Sequence, residues 1–274
     1  MYYKIPVFRL PFGSVLDHTS IPPQDKGRPL LYHPPSLSSE RFEVSTLYFR
    51  AGYSPDEYDS SSAWQARLHL ERSAAIKCPS ILTHLAGSKK IQQILAMPLS
   101  PHLDRFLANT SYKGNVDRLR ATFATIYPLD DSEQGRQALS IARDSGKSLK
   151  YVLKPQREGG GNNIYGAKIP DHLSSLGDDE RKYRSHILME LIEPPALSNS
   201  ILRNGEVQSG GVIGELGIYG TCLWRATDEG RIGSRTLLNE EAGYLLRTKG
   251  RESEEGGVAA GFGAVDSVCL VDHL

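Results

Sequence analysis

The sequence contains few cysteines and no excess of charge of either sign. Its three cysteines, Cys78, Cys222 and Cys269, lie far apart, and none belongs to a Cys-x-x-Cys pair. This spacing argues against a zinc site, and an odd number is more typical of a reducing compartment than of a disulfide framework. Basic and acidic side chains each total 32, which leaves a net charge of zero. A dedicated nucleic-acid binder carries a basic excess, so no nucleic-acid partner is predicted.

Long apolar runs are also missing from the sequence. No window approaches the roughly 20 apolar residues of a membrane-spanning helix, so no membrane partner is predicted. The first residues carry Lys4 but no uninterrupted apolar stretch after it, and we therefore expect no signal peptide. The hydrophobic content of 39% and the charged content of 23% are ordinary for globular proteins. Together these features predict a cytoplasmic protein with one large domain or two ordinary ones.

The spacing of apolar residues predicts a mixture of helices and strands. Predicted strands occupy Ile5–Leu10, Phe42–Phe49 (as a buried strand), Tyr151–Leu153, His186–Ile192, Val212–Ile218 and Thr221–Arg225, the last two joined by a turn at Gly220. Predicted helices occupy Ser61–Ile76, Ser88–Ala96, Leu237–Arg247 and much of residues 116–145, with a break near Pro128. On the first of these helices, Trp64 and Leu68 are expected in the core. The mixture indicates an α+β fold with an antiparallel sheet in the second half.

The run Lys154-Pro-Gln-Arg-Glu-Gly-Gly-Gly-Asn-Asn163 follows a predicted strand. Successive glycines can bring their backbone N–H groups close to a ligand and form an anion-binding concavity. Lys154 supplies a positive charge for phosphate, and Glu158 supplies a hard oxygen ligand for Mg²⁺. The spacing matches neither a P-loop nor Gly-x-Gly-x-x-Gly. The glycines alone favour a mobile hairpin tip, whereas the lysine and the acid bring a nucleotide-binding interpretation level with it.

Several segments, all in one order, carry a resemblance to a known family. They are YFRAGY (48–53), LERSAAIKCPS (70–80), LAGSKK (85–90), LRATFA (119–124), KPQREGGGNNIYG (154–166), LMELIEPP (188–195), GELGIYG (214–220), LLRTK (245–249) and GGVAAG (256–261). In these segments the chain resembles the eukaryotic-type glutathione synthetases of the ATP-grasp superfamily. The resemblance implies an ATP-grasp-like α+β fold, an antiparallel sheet with helices and two lid loops, one glycine-rich (154–165) and one alanine-rich (250–264). It also implies a smaller substrate-binding α/β domain at residues 1–87 and an ATP-binding region at residues 88–274.

The resemblance further implies a role for each matching position. ATP-binding roles fall on Lys89, Lys154, Glu158, Gly159, Gly160, Gly161, Asn162, Asn163, Tyr165, Met189, Glu190, Leu191, Ile192, Glu215, Lys249 and Glu255. Within this set the first two lysines hold phosphates, Glu158 binds Mg²⁺, and Glu215 faces the ribose hydroxyls. Substrate-binding roles fall on Arg50, Tyr53, Arg247, Val258 and Ala259. Arg50 and Arg247 have the catalytic task of orienting carboxyl groups, to which an arginine can donate two parallel hydrogen bonds.

Simpler interpretations stay open for the residues taken alone. Arg50 at a strand end is typical of a surface charge, and Glu190 and Glu215 are equally typical of solvent-facing positions on strands. Glu255 also departs from the family, which has an aspartate at this position. The match begins almost at Met1, whereas family members carry a long preceding region with a second acidic Mg²⁺ ligand and much of the dipeptide pocket. We therefore expect one side of an active site, from a truncated gene model or a fragment.

The implied reaction joins γ-glutamylcysteine to glycine with Mg²⁺ and ATP, through an acyl-phosphate intermediate, to form glutathione. The resemblance implies these small molecules as partners and a homodimer as the assembly. One alternative is a catalytically incomplete nucleotide-binding fragment or paralogue that acts as a binding or regulatory protein. Another is a relative that uses a different amino acid in place of glycine, although the GGVAAG segment favours glycine.

Overall fold

The computed structural model describes residues 5–36, 39–97, 100–107, 116–156, 161–177, 179–203, 205–226, 234–253, 258, 261 and 263–268. The chain forms two compact units, and the boundary between them falls between Leu191 and Ile192. The predicted division at residue 87, between a substrate-binding domain and an ATP-binding region, remains a prediction.

The first part of the first unit is built on two small sheets and a central helix. It contains α1 (Val15–His18), β1 (Thr19–Ser20), β2 (Leu31–Tyr32), β3 (Phe42–Glu43), β4 (Thr46–Tyr48), α2 (Ser61–Arg72), β5 (Ile76–Cys78), α3 (Ile81–Ala86), α4 (Lys89–Ala96) and α5 (Pro101–Leu107). Strands β1, β2 and β3 form an antiparallel sheet, whereas β4 and β5 pair in parallel. The parallel pair requires a crossover, which α2 provides. Ala66 and Leu70 of α2 pack with Val15 and Leu30 in a small core.

The rest of the first unit is a third, four-stranded sheet covered by helices. It contains α6 (Val116–Arg120), β6 (Ile126–Pro128), α7 (Glu133–Arg143), β7 (Tyr151–Pro155), β8 (Ile164–Tyr165), α8 (Lys168–Ser175), α9 (Glu180–Arg184) and β9 (His186–Glu190). The four strands are antiparallel in the order β6-β9-β7-β8. Leu153 and Leu188 of this sheet pack with Ile169 and Leu173 of α8 and with Ala138 of α7. Each fully buried leucine or isoleucine contributes about 1.5–3 kcal/mol, so this core holds the sheet firmly against its helices.

The second unit is a single antiparallel sheet. Its strands, in spatial as well as chain order, are β10 (Leu197–Arg203), β11 (Glu206–Ala226), β12 (Ser234–Gly250) and β13 (Gly263–Asp266). Strands β11 and β12 pair from Val212↔Gly250 to Ala226↔Ser234, while β13 borders only the last part of β12. One carboxylate fixes that border, because Asp266 Oδ2 accepts hydrogen bonds from Thr248 Oγ1 (2.7 Å) and Asn199 Nδ2 (3.3 Å).

Two sequence predictions for the second unit are wrong. The helix predicted at Leu237–Arg247 lies within strand β12. The spacing of leucines in this segment is compatible with a helix as well as with a strand. The segment is a strand because it pairs with β11 along the whole length of the segment. The strands predicted at Val212–Ile218 and Thr221–Arg225 are one strand, because the pairing only shifts register next to Gly220. Such a shift adds a residue to one strand without ending the ladder.

Several predictions for the first unit are also wrong. Residues 5–10 have no regular secondary structure, and the strand predicted at Phe42–Phe49 is split between β3 and β4 and lies only partly buried. The helical stretch predicted at residues 116–145, with a break near Pro128, corresponds to α6 and α7, but strand β6 in the break was not predicted. Helix α2 ends at Arg72 rather than Ile76, because Ser73 is extended (ψ 163) and leads the chain into β5.

Trp64 and Leu68 lie outside the core in which they were expected. Their side chains are 58% and 54% exposed, and α2 instead turns Ala63, Ala66, Arg67 and Leu70 inward. The Trp64 ring stacks on Tyr58, with ring centroids 4.3 Å apart. The face of α2 was mispredicted because its inner side carries small residues and a buried arginine instead of large apolar groups.

The predicted fold class is confirmed, since helices accompany antiparallel sheets in the described chain. The strands predicted at Tyr151–Leu153 and His186–Ile192 correspond to β7 and β9, and the helix predicted at Ser88–Ala96 corresponds to α4. Among the described residues, no helix has the length and apolar character to cross a bilayer.

Candidate functional site

The glycine-rich loop lies between two antiparallel strands. Because β7 and β8 pair with each other, the chain between them has to reverse direction. Gly161 in this loop has φ +84, a left-handed value that favours glycine. At the end of the loop, Asn163 Nδ2 donates a hydrogen bond to the Tyr165 hydroxyl (3.3 Å). The predicted ligands Glu158, Gly159 and Gly160 lie outside the described residues.

Three residues predicted to bind the nucleotide share one face of the four-stranded sheet in the first unit. Val152 pairs with Tyr165 on one side and Met189 on the other, and directly paired residues point to the same face. Lys154, two residues after Val152, points to that face as well. Leu153 points the opposite way, into the core formed with α7 and α8. Tyr165, Met189 and Lys154 therefore lie together on the side of the sheet away from that core.

Lys154 and Lys89 place two positive charges near each other. Lys154 lies near the end of β7, and Lys89 is the first residue of α4. Burial lowers the pKa of the Lys154 ammonium, and the charge of Lys89 lowers it further. Within the described part of the chain, neither ammonium has a carboxylate at ion-pair distance. Two partly desolvated cations without an acid between them favour an anionic ligand such as a phosphate.

The start of α4 is tied to the end of β7 by Gln156. Gln156 Oε1 accepts the backbone N–H of Lys90 (2.8 Å), and the Gln156 N–H donates to the Ser185 carbonyl (3.0 Å). The first turn of a helix carries a partial positive charge, which adds to the field of the two lysines. Sequence reasoning missed Gln156, although its side-chain carbonyl, two residues after Lys154, is suited to bind an unpaired N–H group of a helix start.

The segment predicted to face the adenine leaves the sheet at Glu190. The Glu190 carboxylate accepts a hydrogen bond from the Tyr127 hydroxyl (3.3 Å). Burial raises the pKa of Tyr127, and the charge of Glu190 raises it further. After the strand, the Leu191 N–H still donates to the Lys150 carbonyl (2.9 Å). The side chains of Leu191 and Ile192 are 36% and 68% exposed, so apolar surface remains open where the strand ends.

Arg50 and Tyr53 are neighbours on one turn of the first unit. Arg50 Nη1 donates to the Tyr53 hydroxyl (3.4 Å), and both side chains are exposed. Arg50 and Tyr53, which are predicted to bind a substrate carboxylate, are thus close enough to bind the same carboxylate. This position is equally compatible with a surface charge, so their role remains a prediction.

In the second unit, three predicted site residues form one ion-pair cluster. Glu215 on β11 pairs directly with Arg247 on β12, and Glu215 Oε2 lies 2.9 Å from Arg247 Nη2. Lys249 Nζ lies 3.5 Å from the other oxygen, Glu215 Oε1. The side chain of Lys249 is 12% exposed, whereas those of Glu215 and Arg247 are 34% and 41% exposed. The cluster combines one acid and two bases.

The alanine-rich loop begins and ends on paired strands. Lys249 on β12 pairs with Gly263 on β13, so the loop leaves and re-enters the sheet at one place. Within it, the Gly261 N–H donates to the Val258 carbonyl (3.0 Å). Arg251 anchors its start, with its N–H donating to the Gly211 carbonyl (3.0 Å). Sequence reasoning missed Arg251, and the predicted residues Glu255 and Ala259 lie outside the described residues.

The structure therefore groups the predicted residues separately within each unit. The first unit groups Lys89 with Lys154, and it places Tyr165 and Met189 on the face of Lys154. The second unit groups Glu215, Arg247 and Lys249. Over the ranges that the structure describes, no three His, Cys, Asp or Glu side chains converge as a metal site would require. The metal ligand predicted from the sequence, Glu158, belongs to the residues that are not described.

Comparison with known proteins gives a consistent result. The family described as eukaryotic glutathione synthase, ATP-binding domain, matches residues 24–270. The chain is 43% identical to the large chain of glutathione synthetase from Schizosaccharomyces pombe, over 90% of this chain and 46% of that protein. It is 46% identical to the chloroplastic glutathione synthetase of Arabidopsis thaliana, over 83% of this chain and 39% of that protein.

An animal relative and a solved structure extend the comparison. The chain is 46% identical to the glutathione synthetase of Mus musculus, over 96% of this chain and 51% of that protein. The fold is similar to that of a glutathione synthetase-like effector from Globodera pallida, with a TM-score of 0.55 at 18% identity. That match covers 92% of this chain and 46% of the effector chain. The chain thus spans about half the length of the relatives it matches, and its ATP-grasp-like fold is confirmed.

Proposed function

The chain belongs to the eukaryotic glutathione synthase family, and from this membership we propose that it carries the ATP-binding part of a ligase that joins γ-glutamylcysteine to glycine. The product of this reaction is glutathione. The observation that carries the proposal is the pair of lysines, Lys89 and Lys154, next to the sheet face of Tyr165 and Met189. The two positive charges neutralise the phosphates of ATP, and the end of β9 contacts the adenine ring.

The lysines serve the first step of the reaction. In that step the C-terminal carboxylate of γ-glutamylcysteine attacks the γ-phosphorus of ATP, and the bond to ADP breaks, which leaves an acyl phosphate. Negative charge on the transferred oxygens is neutralised by Lys89 and Lys154, together with backbone N–H groups of the loop from Gly159 to Asn163. In the second step the amine of glycine attacks the acyl carbon, loses a proton and displaces phosphate.

ATP-grasp chemistry calls for Mg²⁺, and the charges of this chain fit a Mg·ATP ligand. Two cationic side chains without an acidic partner in the described chain complement polyphosphate oxygens, while Glu158 is the acid that would hold the metal. When bound, Mg²⁺ neutralises further phosphate charge. Met189, Glu190, Leu191 and Ile192 supply the backbone that faces the adenine.

The residues of the second unit serve the nucleotide and a carboxylate. Glu215 accepts hydrogen bonds from the ribose hydroxyls, and Lys249 contacts the phosphates. Arg247 orients a substrate carboxylate, and its hydrogen bond to Glu215 uses only one of the five N–H donors of a guanidinium. Because Glu215 lies between two cations, its side chain is held in the orientation that the two bases impose.

Two further groups complete the substrate site. Arg50 and Tyr53 bind a carboxylate of γ-glutamylcysteine, and the alanine-rich loop, with Glu255, Val258 and Ala259, closes over the reacting groups. A loop of small residues can pack closely over a ligand, and closure excludes the water that would hydrolyse an acyl phosphate.

The lysine pair is tested by Mg·ATP binding to the 274-residue chain. Lys154→Ala removes a half-buried cation from the phosphate site and should abolish measurable binding by isothermal titration calorimetry. Lys150→Ala is the matched control, because Lys150 is an exposed lysine just before the same strand and should leave the affinity unchanged. Equal affinities for wild type and Lys154→Ala would refute the assignment of the loop.

Catalysis is tested separately from binding. The chain is given Mg·ATP, γ-glutamylcysteine and glycine, and release of phosphate and formation of glutathione are measured. Formation of glutathione supports the ligase. Binding of Mg·ATP without turnover supports instead the alternative of a nucleotide-binding or regulatory protein.

The family resemblance also supports a homodimer, a cytoplasmic location, and small molecules rather than nucleic acid or a membrane as partners. Light scattering on the purified chain tests the dimer, and cell fractionation tests the location. The name of the Arabidopsis relative places that protein in the chloroplast, so the compartment has to be measured for this chain.

A further inference from the structure

The turn that carries Arg50 and Tyr53 is held from one side by a single carboxylate. Glu57 Oε1 accepts the Gly52 N–H (2.9 Å), and Oε2 accepts the N–H groups of Tyr53 (3.2 Å) and Ser54 (3.0 Å). Burial opposes ionisation of Glu57, but these three hydrogen bonds and the charge of His84 together lower its pKa. The ionised carboxylate therefore fixes three consecutive peptide groups next to Arg50.

The same turn is held from the other side through its carbonyl. The Gly52 carbonyl accepts hydrogen bonds from the Tyr58 hydroxyl (2.6 Å) and from Arg67 Nη1 (3.4 Å). Gly52 has φ +81, and a Cβ at this position would lie 2.9 Å from the Tyr58 hydroxyl oxygen. The turn thus depends on a glycine in a left-handed conformation whose N–H and carbonyl are both bound.

Arg67 contacts the chain on both sides of Arg50. Its guanidinium carbon lies 4.1 Å from the centroid of the Phe49 ring, and its Nη1 reaches Gly52. The residue is only 3% exposed. Its charge is balanced by Glu71, whose Oε1 accepts from Arg67 Nε (3.0 Å) and also from the Ile81 N–H (2.9 Å). A buried arginine is costly unless it is paired. The Glu71 carboxylate supplies an ion pair, and the guanidinium joins α2 to the turn.

We propose that Arg67 and Glu57 are positioning residues, which hold the 49–54 turn so that Arg50 and Tyr53 present their donor groups together to a substrate carboxylate. The binding of a substrate carboxylate by Arg50 and Tyr53 rests on the proposed function. The fixed conformation of the turn follows from the contacts of Glu57 and Arg67 alone. Arg50 and Tyr53 are exposed and joined only by a 3.4 Å hydrogen bond. Their relative placement is therefore set by the backbone beneath them, and a rigid backbone reduces the entropy lost on binding.

The hold on the turn is tested by amide hydrogen exchange, resolved at single residues by NMR on the 274-residue chain. In Glu57→Gln the charged acceptor is lost, and exchange at Gly52, Tyr53 and Ser54 should accelerate about tenfold. Asp59→Asn is the matched control, because Asp59 is an exposed acid two residues further on and should leave these amides unchanged. Unchanged exchange in Glu57→Gln would overturn the proposal. Arg67→Gln alters a buried group and can prevent folding, so the proposal is tested with Glu57→Gln.

The consequence for substrate is tested by titrating γ-glutamylcysteine. Arg50→Ala should remove binding, Glu57→Gln should weaken it about five- to tenfold, and Asp59→Asn should match wild type. Mg·ATP affinity should stay unchanged in Glu57→Gln, which a general structural defect would not allow. If Arg50→Ala weakens binding and Glu57→Gln does not, the positioning role is wrong. If wild type and Arg50→Ala behave alike, the proposed carboxylate site fails, and the exchange experiment alone then decides whether the turn is held.

Discussion

Glu215 and Arg247 face each other across strands β11 and β12, with 2.9 Å between Glu215 Oε2 and Arg247 Nη2. Lys249 Nζ approaches the second oxygen of the same carboxylate at 3.5 Å. Glu215, which we assign to the ribose, therefore also orients its two basic neighbours. We assign Arg247 to a substrate carboxylate and Lys249 to the phosphates. A change at Glu215 therefore acts on both neighbours as well as on its own ligand.

A double-mutant cycle should reveal a modest coupling between these side chains. Both are more than one-third exposed, so we expect Glu215→Gln and Arg247→Gln to couple by about 0.5–1 kcal/mol, measured by urea unfolding. Glu240→Gln serves as the control, because Glu240 is an exposed acid on β12 that pairs with Thr221 rather than with a base. A coupling of zero would mean that the hydrogen bond is not maintained in solution.

Removal of the Lys154 charge should stabilise the chain while it destroys nucleotide binding. Burial and the charge of Lys89 both lower the pKa of Lys154, so its charged form is disfavoured in the folded state. Lys154→Met keeps the length of the side chain without that charge. We expect the free energy of unfolding without nucleotide to rise by about 0.5–1 kcal/mol, and Mg·ATP to give no thermal shift.

The opposite result for Lys154→Met would be informative. A decrease in the free energy of unfolding would show that another group compensates the Lys154 ammonium in the native state. Among the described residues, no carboxylate lies at ion-pair distance from it. Lys150→Met is the control, since Lys150 is exposed and its replacement should change neither quantity.

The sequence predicted the elements whose pattern was local, and it failed where distant pairing decided the structure. Helix α4 and strand β7 carry clear local signals, and both were predicted. The segment at Leu237–Arg247 has a spacing that suits either state, and only its pairing with β11 makes it a strand. The inner face of α2 was mispredicted for a related reason, because Arg67 is buried through contacts with Phe49, Gly52 and Glu71 that no local pattern reveals.

The candidate site shows the same division. The family resemblance identified Lys89, Lys154 and Glu215, because their neighbours in sequence are distinctive. It did not identify Gln156 or Glu57, whose roles depend on backbone N–H groups that the fold brings to them. The sequence thus marks the side chains to which we assign ligands, whereas side chains that hold the backbone around them required the structure.

Replacement of Gly52 should destabilise the first unit. Its φ of +81 is unfavourable for a residue with a Cβ, and the added atom would meet the Tyr58 hydroxyl oxygen at 2.9 Å. We expect Gly52→Ala to lower the free energy of unfolding by roughly 1–2 kcal/mol in urea. Gly13→Ala is the control, because a Cβ there would contact no described atom within 4 Å, and its effect should stay within about 0.5 kcal/mol. Equal effects would argue against the left-handed conformation at Gly52.

Acid should weaken the second unit through Asp266. Hydrogen bonds from Thr248 Oγ1 and from the Ser267 N–H lower the pKa of this carboxyl group below its ordinary value of 3.8. Because the folded state favours the ionised form, the carboxylate contributes stability at pH values above 3.8. This contribution is lost as the pH falls through the lowered pKa. Asp266→Asn should therefore reduce the urea midpoint at pH 7, and the difference from wild type should shrink toward pH 3.

The effect should be specific to the place where Asp266 joins three strands. Its Oδ2 also accepts from Asn199 on β10, so the loss should appear as faster amide exchange in β10 and β13 as well as a lower midpoint. Glu240→Gln, on the exposed part of β12, should shift neither the midpoint nor its pH dependence. If Asp266→Asn and wild type keep a constant difference between pH 7 and pH 3, protonation of Asp266 does not control the stability of this sheet. The hydrogen bonds to Thr248 and Asn199 would then persist with a neutral side chain, and the charge of Asp266 would have no part in joining β10, β12 and β13.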